Sequence, residues 1–408
     1  MSSTMNDASI PAVENPARRI NDIEWLRAFA VLGVVVHHSQ ENLFSWQPLW
    51  LTQFLHHFDY WSGVDIFFAI SGFVIARSLI PQLSSFTGST HEAMRRVAAF
   101  WTARAFRLLP SAWVWLGLIL IASATLNKSG AFGTFHTNLM AGLAGLFQVA
   151  NFRFVDAFGR YNYGASFAYW SLSLEEQFYL ILPLLMILAK RRLVVLLIPV
   201  IVIQALMTRG LMTISLRTDA LAWGVLLAWL VQYPRFVRWL PAHADWRRYV
   251  PRVAAYSVMA GIGMVSAVET ATMGNRVAIV ALLAAALVWL ASYNRDYLSG
   301  GDSFFRRAML WCGSRSYAIY LIHVPAFFLV REAWFRLTGS APTGGIQQIV
   351  LLTAAAALLI AVLAELNFHL LEKPLRDIGK RLSRRISDPA IKSAARTDQA
   401  GDRATCQS

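Results

Sequence analysis

Apolar runs long enough to cross a bilayer recur from residue 22 to residue 371, and this single feature fixes the fold class. About 20 consecutive apolar residues span the hydrocarbon core. Inside it only structures that satisfy their own backbone hydrogen bonds survive. The candidate segments are 22–41, 58–80, 108–126, 137–152, 172–189, 193–209, 217–232, 252–271, 276–293, 314–335 and 347–371. Only 15% of the residues are charged, where a soluble domain carries about 25%. The expected class is therefore an all-α, polytopic membrane helical bundle.

Segment 137–152 is the shortest. If it crossed, the Lys190-Arg191-Arg192 cluster would lie outside, against the bias of Lys and Arg toward the cytoplasm. Taken as a re-entrant or interfacial piece, it leaves about ten transmembrane helices with both termini cytoplasmic. Most of the 37 Lys and Arg then fall on the cytoplasmic side. The net charge of +14 thus belongs to membrane-flanking loops, and no nucleic-acid partner is expected.

Residues 1–21 read as a polar cytoplasmic segment with no cleaved signal peptide. Residues 22–376 form the membrane domain, and 377–408 a polar, disordered cytoplasmic tail. No further soluble domain is expected. Cys312 and Cys406 lie too far apart for a disulfide framework or a metal spacing, so no metal is expected. No internal repeat is evident, which weighs against transporters built from related halves.

The chemistry must lie in the polar residues placed among apolar ones. In the stretch WLRAFAVLGVVVHHSQ, Arg27 and His38 are separated by ten residues. At about 100° per residue they share one helical face, roughly 16 Å apart along the axis. His37 points elsewhere and is the weaker candidate. Ordinary snorkelling at the two interfaces explains the pair about as well. The run GVDIFFAISGF sets Asp65 in an apolar helix, where it needs a partner or a proton unless it only caps the helix. FWTARAFRLLP places Arg104 and Arg107 on one face before the third span. They are either membrane-flanking charges or a bidentate phosphate clamp.

YWSLSLEEQFYL carries Glu175 and Glu176 side by side into a membrane helix, and the helix dipole favours one acid there more readily than two. RTDALAWG offers Arg217 and Asp219 as a loop-ordering ion pair. In SRSYAIYLIH, Ser316, Tyr320 and His323 form one polar stripe, for substrate or for inter-helix hydrogen bonding. The map gives a cytoplasmic zone of Arg27, Arg104 and Arg107. Opposite it lies an outer zone of His38, Asp65, Glu175 and Glu176, where a carboxylate beside a histidine would make a general base. Such an arrangement suits an acyl-CoA, with phosphates at one end and a thioester at the other. The alternative is a proton-coupled transporter or flippase of a glycan or lipid-linked sugar.

The ordered blocks DIEWLRAFAVLGVVVHH, GVDIFFAISGF, RAFRLLP, YWSLSLEEQFYL, RTDALAWG and SYAIYLIH resemble the bacterial acyltransferase family 3, over residues 19 to 376. These are integral-membrane O-acyltransferases of polysaccharides, nodulation factors and macrolides. The resemblance implies ten membrane helices in the inner membrane. It implies transfer of an acyl group, usually acetyl from acetyl-CoA, to a hydroxyl of a carbohydrate or lipid-linked saccharide. It makes Arg27 and His38 the functional pair and links Arg104 and Arg107 to the donor. This chain has Glu24-Trp25 where members often have Asp-Gly before Leu-Arg. On this reading His38 is the base, Glu176 or Asp65 orients its ring, and Arg27 holds the donor.

Overall fold

The computed structural model describes residues 20–387, apart from 45, 47, 48, 84, 85, 234–245 and 270–272. Most of the expected N-terminal segment, the end of the tail and Cys406 lie outside the described residues. Among the described residues the protein is all helical, without strands. The helices are α1 (Asn21–Asn42), α2 (Leu49–His57), α3 (Gly63–Leu83), α4 (Thr90–Thr125), α5 (Phe135–Leu146), α6 (Ala150–Ala157) and α7 (Tyr169–Ala189). There follow α8 (Leu193–Leu206), α9 (Leu211–Ser215), α10 (Asp219–Leu230), α11 (Trp246–Ala267) and α12 (Arg276–Ser292). The chain continues with α13 (Phe304–Ser314), α14 (Ser316–Thr338), α15 (Ile346–Asn367) and α16 (Lys373–Ser387).

Among the described residues, six helical stretches are long and apolar enough to cross a membrane: 63–83, 90–125, 169–189, 249–267, 316–338 and 346–387. Helices α8, α10 and α12 are apolar but shorter. Together they make a multi-pass membrane protein. Helix α1 is less apolar because it carries Asp22, Glu24, Arg27 and Glu41, yet it packs in the middle of the bundle against α3, α12, α13 and α14. Segment 137–152 becomes two short helices, α5 and α6, of 12 and 8 residues. They are broken where Gln148 takes a positive φ of 57°. Neither is long enough to span by itself.

Two helices run well past the expected segments. Helix α4 starts at Thr90 instead of 108 because Ser89 caps it, its hydroxyl accepting from the Glu92 N–H at 3.3 Å. Helix α15 continues through a π-turn at Phe368–Glu372 into α16, so the chain stays helical to Ser387. The tail boundary expected at 377 is therefore too early. Leu375, Ile378, Leu382 and Ile386 recur every three or four residues along α16, and the helix lies along the start of α4. Gly379 lets it approach so closely that a Cβ there would strike Phe106. Arg95 then ties the far end by donating to the Ile386 carbonyl at 3.0 and 3.2 Å.

Helix α3 packs closely on α10, where Gly72 and Gly224 bring the two backbones together with no room for a side chain on either. That crossing decides which polar side chains meet.

Candidate active site

Helix α1 contributes to two cavities, Arg27 to one and Glu41 and Asn42 to the other. At its Arg27 end lies a small one, about 90 Å³, lined by Arg27, Arg104, Arg107, Glu175, Glu176 and Tyr320 among others. Arg104 and Arg107, one turn apart on α4, face it beside Arg27 from α1. The Nε of Arg107 is buried without a hydrogen-bond partner, a donor suited to an anionic ligand. Arg104 lies over the Tyr179 ring, 5.2 Å from its centroid, and Arg27 holds Glu24 at 2.8 Å. The three arginines converge as their positions along the chain suggested.

The carboxylates are elsewhere than expected. Glu175 and Glu176 line the arginine cavity and are no part of a separate acidic zone. They sit two turns into α7, about 9 Å below its first residue, which carries them to the depth of the arginines. Glu175 accepts hydrogen bonds from the hydroxyls of Ser71 and Tyr179. Asp65 is fully buried and paired with Arg217 at 3.0 Å, so it does not orient His38. The close α3–α10 crossing brings Asp65 at the start of α3 to Arg217, two residues before α10. Trp61 and Trp170 flank the guanidinium, each ring centre 5.1 Å away. Asp219 pairs with Arg209 at 2.5 Å and not with Arg217. Residues two apart at a helix start point in different directions. Both pairs are buried and act as scaffold.

His38 has an imidazole for a partner. Its Nδ1 lies 2.7 Å from Nε2 of His323 on α14, with the rings nearly parallel, 7° apart. The other nitrogen of His323, Nδ1, sits 2.8 Å from the Tyr320 carbonyl. A carbonyl only accepts, so His323 Nδ1 carries a proton. A neutral imidazole has one N–H, which leaves His323 Nε2 as acceptor. His38 Nδ1 must then donate, and its Nε2 holds an open lone pair. The Tyr320 hydroxyl donates to the Ala168 carbonyl at 3.1 Å and meets the Ser171 hydroxyl at 2.7 Å, which fixes the base of this relay. Of the expected α14 stripe, Ser316 and Tyr320 line the arginine cavity, while His323 lines neither cavity and bonds His38.

Reading the sequence missed His323 as the partner of His38. The available signal was that a buried imidazole needs two partners and its own helix offers one. It also missed the pairing of His37 with Asp59, 2.7 Å apart. That is the histidine–carboxylate arrangement sought for His38, found on the neighbouring residue.

Beyond His38 is a larger cavity of about 490 Å³, whose lining includes Asn42, Phe158, Tyr161, Asn162, Phe167 and Arg331. Phe167 packs edge-on against His38, ring centres 4.9 Å apart, and Asn42 donates to the His38 carbonyl at 2.7 Å. The His38–His323 pair lines neither cavity itself but touches a wall residue of each, Tyr320 of the arginine cavity through its carbonyl and Phe167 of the larger one. Among the described residues, no group of three or more His, Cys, Asp or Glu side chains converges as metal ligands would.

The chain belongs to the acyltransferase family 3. The acyltransferase-domain model of that family matches residues 20–365. Among curated relatives, the putative peptidoglycan O-acetyltransferase YrhL of Bacillus subtilis is 26% identical over 92% of this chain and 58% of its own length. Peptidoglycan O-acetyltransferase OatA of Listeria monocytogenes is 28% identical over 88% of this chain and 56% of its own. A putative O-acetyltransferase of Staphylococcus aureus, SACOL0978, is 31% identical over 42% of this chain and 25% of its own. The chain thus spans little more than half the length of the first two relatives. No solved structure matches it.

Proposed function

We propose that this protein is an inner-membrane O-acyltransferase that moves an acyl group, acetyl in the simplest case, from acyl-CoA to a hydroxyl of a carbohydrate acceptor. The names of its relatives make peptidoglycan the first acceptor to try. In this reading about ten helices cross the membrane with both termini cytoplasmic. The donor enters at the arginine end, and the acceptor reaches His38 from the outer side.

The observation that supports the reading is that the His38–His323 relay touches a wall residue of each of two unlike cavities, Tyr320 and Phe167. The 90 Å³ of the arginine cavity is far below the roughly 300–1,000 Å³ of ordinary small-molecule sites. It takes the slender thioester end of a donor, and Arg27, Arg104 and Arg107, which line its wall, reach the phosphates that follow. Arginine suits that task because its planar fork binds phosphate oxygens in pairs. His38 Nε2 takes the proton from the acceptor hydroxyl as its oxygen bonds to the thioester carbon. The carbon–sulfur bond breaks, and the departing thiolate receives the proton from His38. His323 holds the Nδ1–H of His38 throughout, so the reacting nitrogen stays the one facing substrate.

Membranes carrying the protein, incubated with acetyl-labelled CoA and cell-wall glycan, should label the glycan. His38→Ala should lower that labelling by about 10²–10⁴-fold, the usual contribution of a positioned base, with membrane insertion intact. Undiminished labelling by this variant would overturn the assignment. A transporter would move its substrate without consuming acetyl-CoA, so the same assay separates the two readings.

A further inference from the structure

The mechanism makes no use of the walls of the larger cavity, and those walls carry a distinct chemistry. Flat apolar faces alternate with planar polar groups: Phe158 and Tyr161, 54% and 45% exposed, stand beside Asn162, Asn42 and Arg331. A lipid tail would require an apolar lining throughout. A phosphate would require net positive charge, yet Glu41 shares the lining with Arg331 and offsets it. A pyranose ring fits both features, with C–H faces for the aromatic rings and hydroxyls for the amides and guanidinium. The volume of about 490 Å³ lies within the roughly 300–1,000 Å³ of sites for molecules of that size.

The walls are also built before any ligand arrives. Asn162 accepts the Gly164 N–H at 2.8 Å across a turn in which Gly164 has a φ of 107°, a conformation favouring glycine. The Tyr161 hydroxyl donates to Asp156 at 2.6 Å, and Arg153 lies 5.3 Å from the centre of the Tyr161 ring, so that ring is held in place. On the other side, buried Glu332 accepts the backbone N–H groups of Lys128 and Ser129 at 3.0 and 2.8 Å. This pins the loop that supplies Gly130 to Phe132. A preset wall avoids the ordering cost that weakens binding. Its floor, Phe167, touches the imidazole of His38.

We propose that this cavity is the acceptor subsite and takes one uncharged sugar unit of a glycan. Its ring would stack at the mouth on Phe158 and Tyr161, and its hydroxyls would meet Asn42, Asn162 and Arg331. The inference rests on the acyl-transfer reading for its chemistry but predicts saccharide binding independently of transfer.

The test uses the full chain in lipid nanodiscs, acetyl-CoA, and glycan-strand fragments released from peptidoglycan. Phe158→Ala and Asn162→Ala alter exposed side chains and should raise the acceptor KM about tenfold or more, the loss of roughly 1.4 kcal/mol of binding. The donor KM and the rate at acceptor saturation should stay as in the wild type. An unchanged acceptor KM in the double variant, eluting as a folded monodisperse species, overturns the subsite. A wild type that transfers nothing overturns the acyl-transfer reading instead. Fragment binding by thermophoresis then decides the subsite alone: binding by the wild type and not by the double variant supports it, and equal or absent binding overturns it.

Discussion

The two cavities on either side of His38 are opposites in size, charge and wall chemistry. The one at the Arg27 end is about 90 Å³ and is ringed by three arginines and two glutamates. The one beyond His38 is about 490 Å³ and presents aromatic rings, amides and a cation offset by an anion. A channel for one substrate would keep the same chemistry along its length. Two unlike chambers whose walls, Tyr320 and Phe167, touch one imidazole pair instead suit two unlike reactants kept apart until they react. Substitutions should then fall into three groups: those that disturb the donor alone, the acceptor alone, or the transfer between them.

The largest effect sharpens the partition itself. His323 touches His38 and neither chamber, so changing it should lower kcat and leave both KM values near wild type. His323→Leu removes the acceptor for His38 Nδ1–H and lets the imidazole adopt its other tautomer. A fall of about 10²-fold in kcat is expected, the lower part of the range for a misplaced general base. His323→Gln keeps an oxygen to accept from His38 and an N–H for the Tyr320 carbonyl, and should recover much of the rate. Steady-state kinetics of the two variants check this. Equal losses would mean that His323 only fills space.

The next effect falls on one chamber. Arg107→Ala removes a half-buried guanidinium whose Nε is buried with no partner within the protein. A charge-assisted hydrogen bond contributes about 1.5–3 kcal/mol, so the donor KM should rise roughly tenfold to a hundredfold while the acceptor KM holds. A donor titration at saturating glycan measures it. If both constants rise together, the two chambers are coupled and the comparison fails.

How far these groups could be read from the sequence depends on whether they share a helix. Arg27 with His38, Arg104 with Arg107, and Tyr320 with His323 each lie on one helix, where angular spacing alone sets the facing side. The convergence of Arg27 with Arg104 and Arg107 followed because all three sit at one depth. Partner choice across helices was not legible. Asp65 could have met His38 by depth, but the glycine contact of Gly72 and Gly224 delivers it to Arg217. Which helices touch is a property of packing, and spacing along one helix holds no trace of it. The run of α16 to Ser387 was legible in principle from its apolar repeat, and its dense basic charge hid that repeat behind the look of a solvated tail.

The smallest expected effect is the most discriminating, because it compares neighbours. His37 and His38 are adjacent on α1 and so point about 100° apart. His37 has the carboxylate partner, Asp59 at 2.7 Å, which ordinarily marks a catalytic base. His38 has the second imidazole and the position between the chambers. None of His37, Asp59 and His38 lines either cavity itself, and what favours His38 is its contact with Phe167 of the larger wall and with His323, which bonds the carbonyl of Tyr320 on the smaller one. His37→Ala should therefore change kcat and both KM values by less than about twofold, within the ordinary range for a partly exposed site. The measurement is the labelled-acetyl assay run on both single variants side by side. Should His37→Ala be the inactive one and His38→Ala the active one, the reacting hydroxyl approaches from the Asp59 side, and the partition drawn through His38 and His323 is not where transfer occurs.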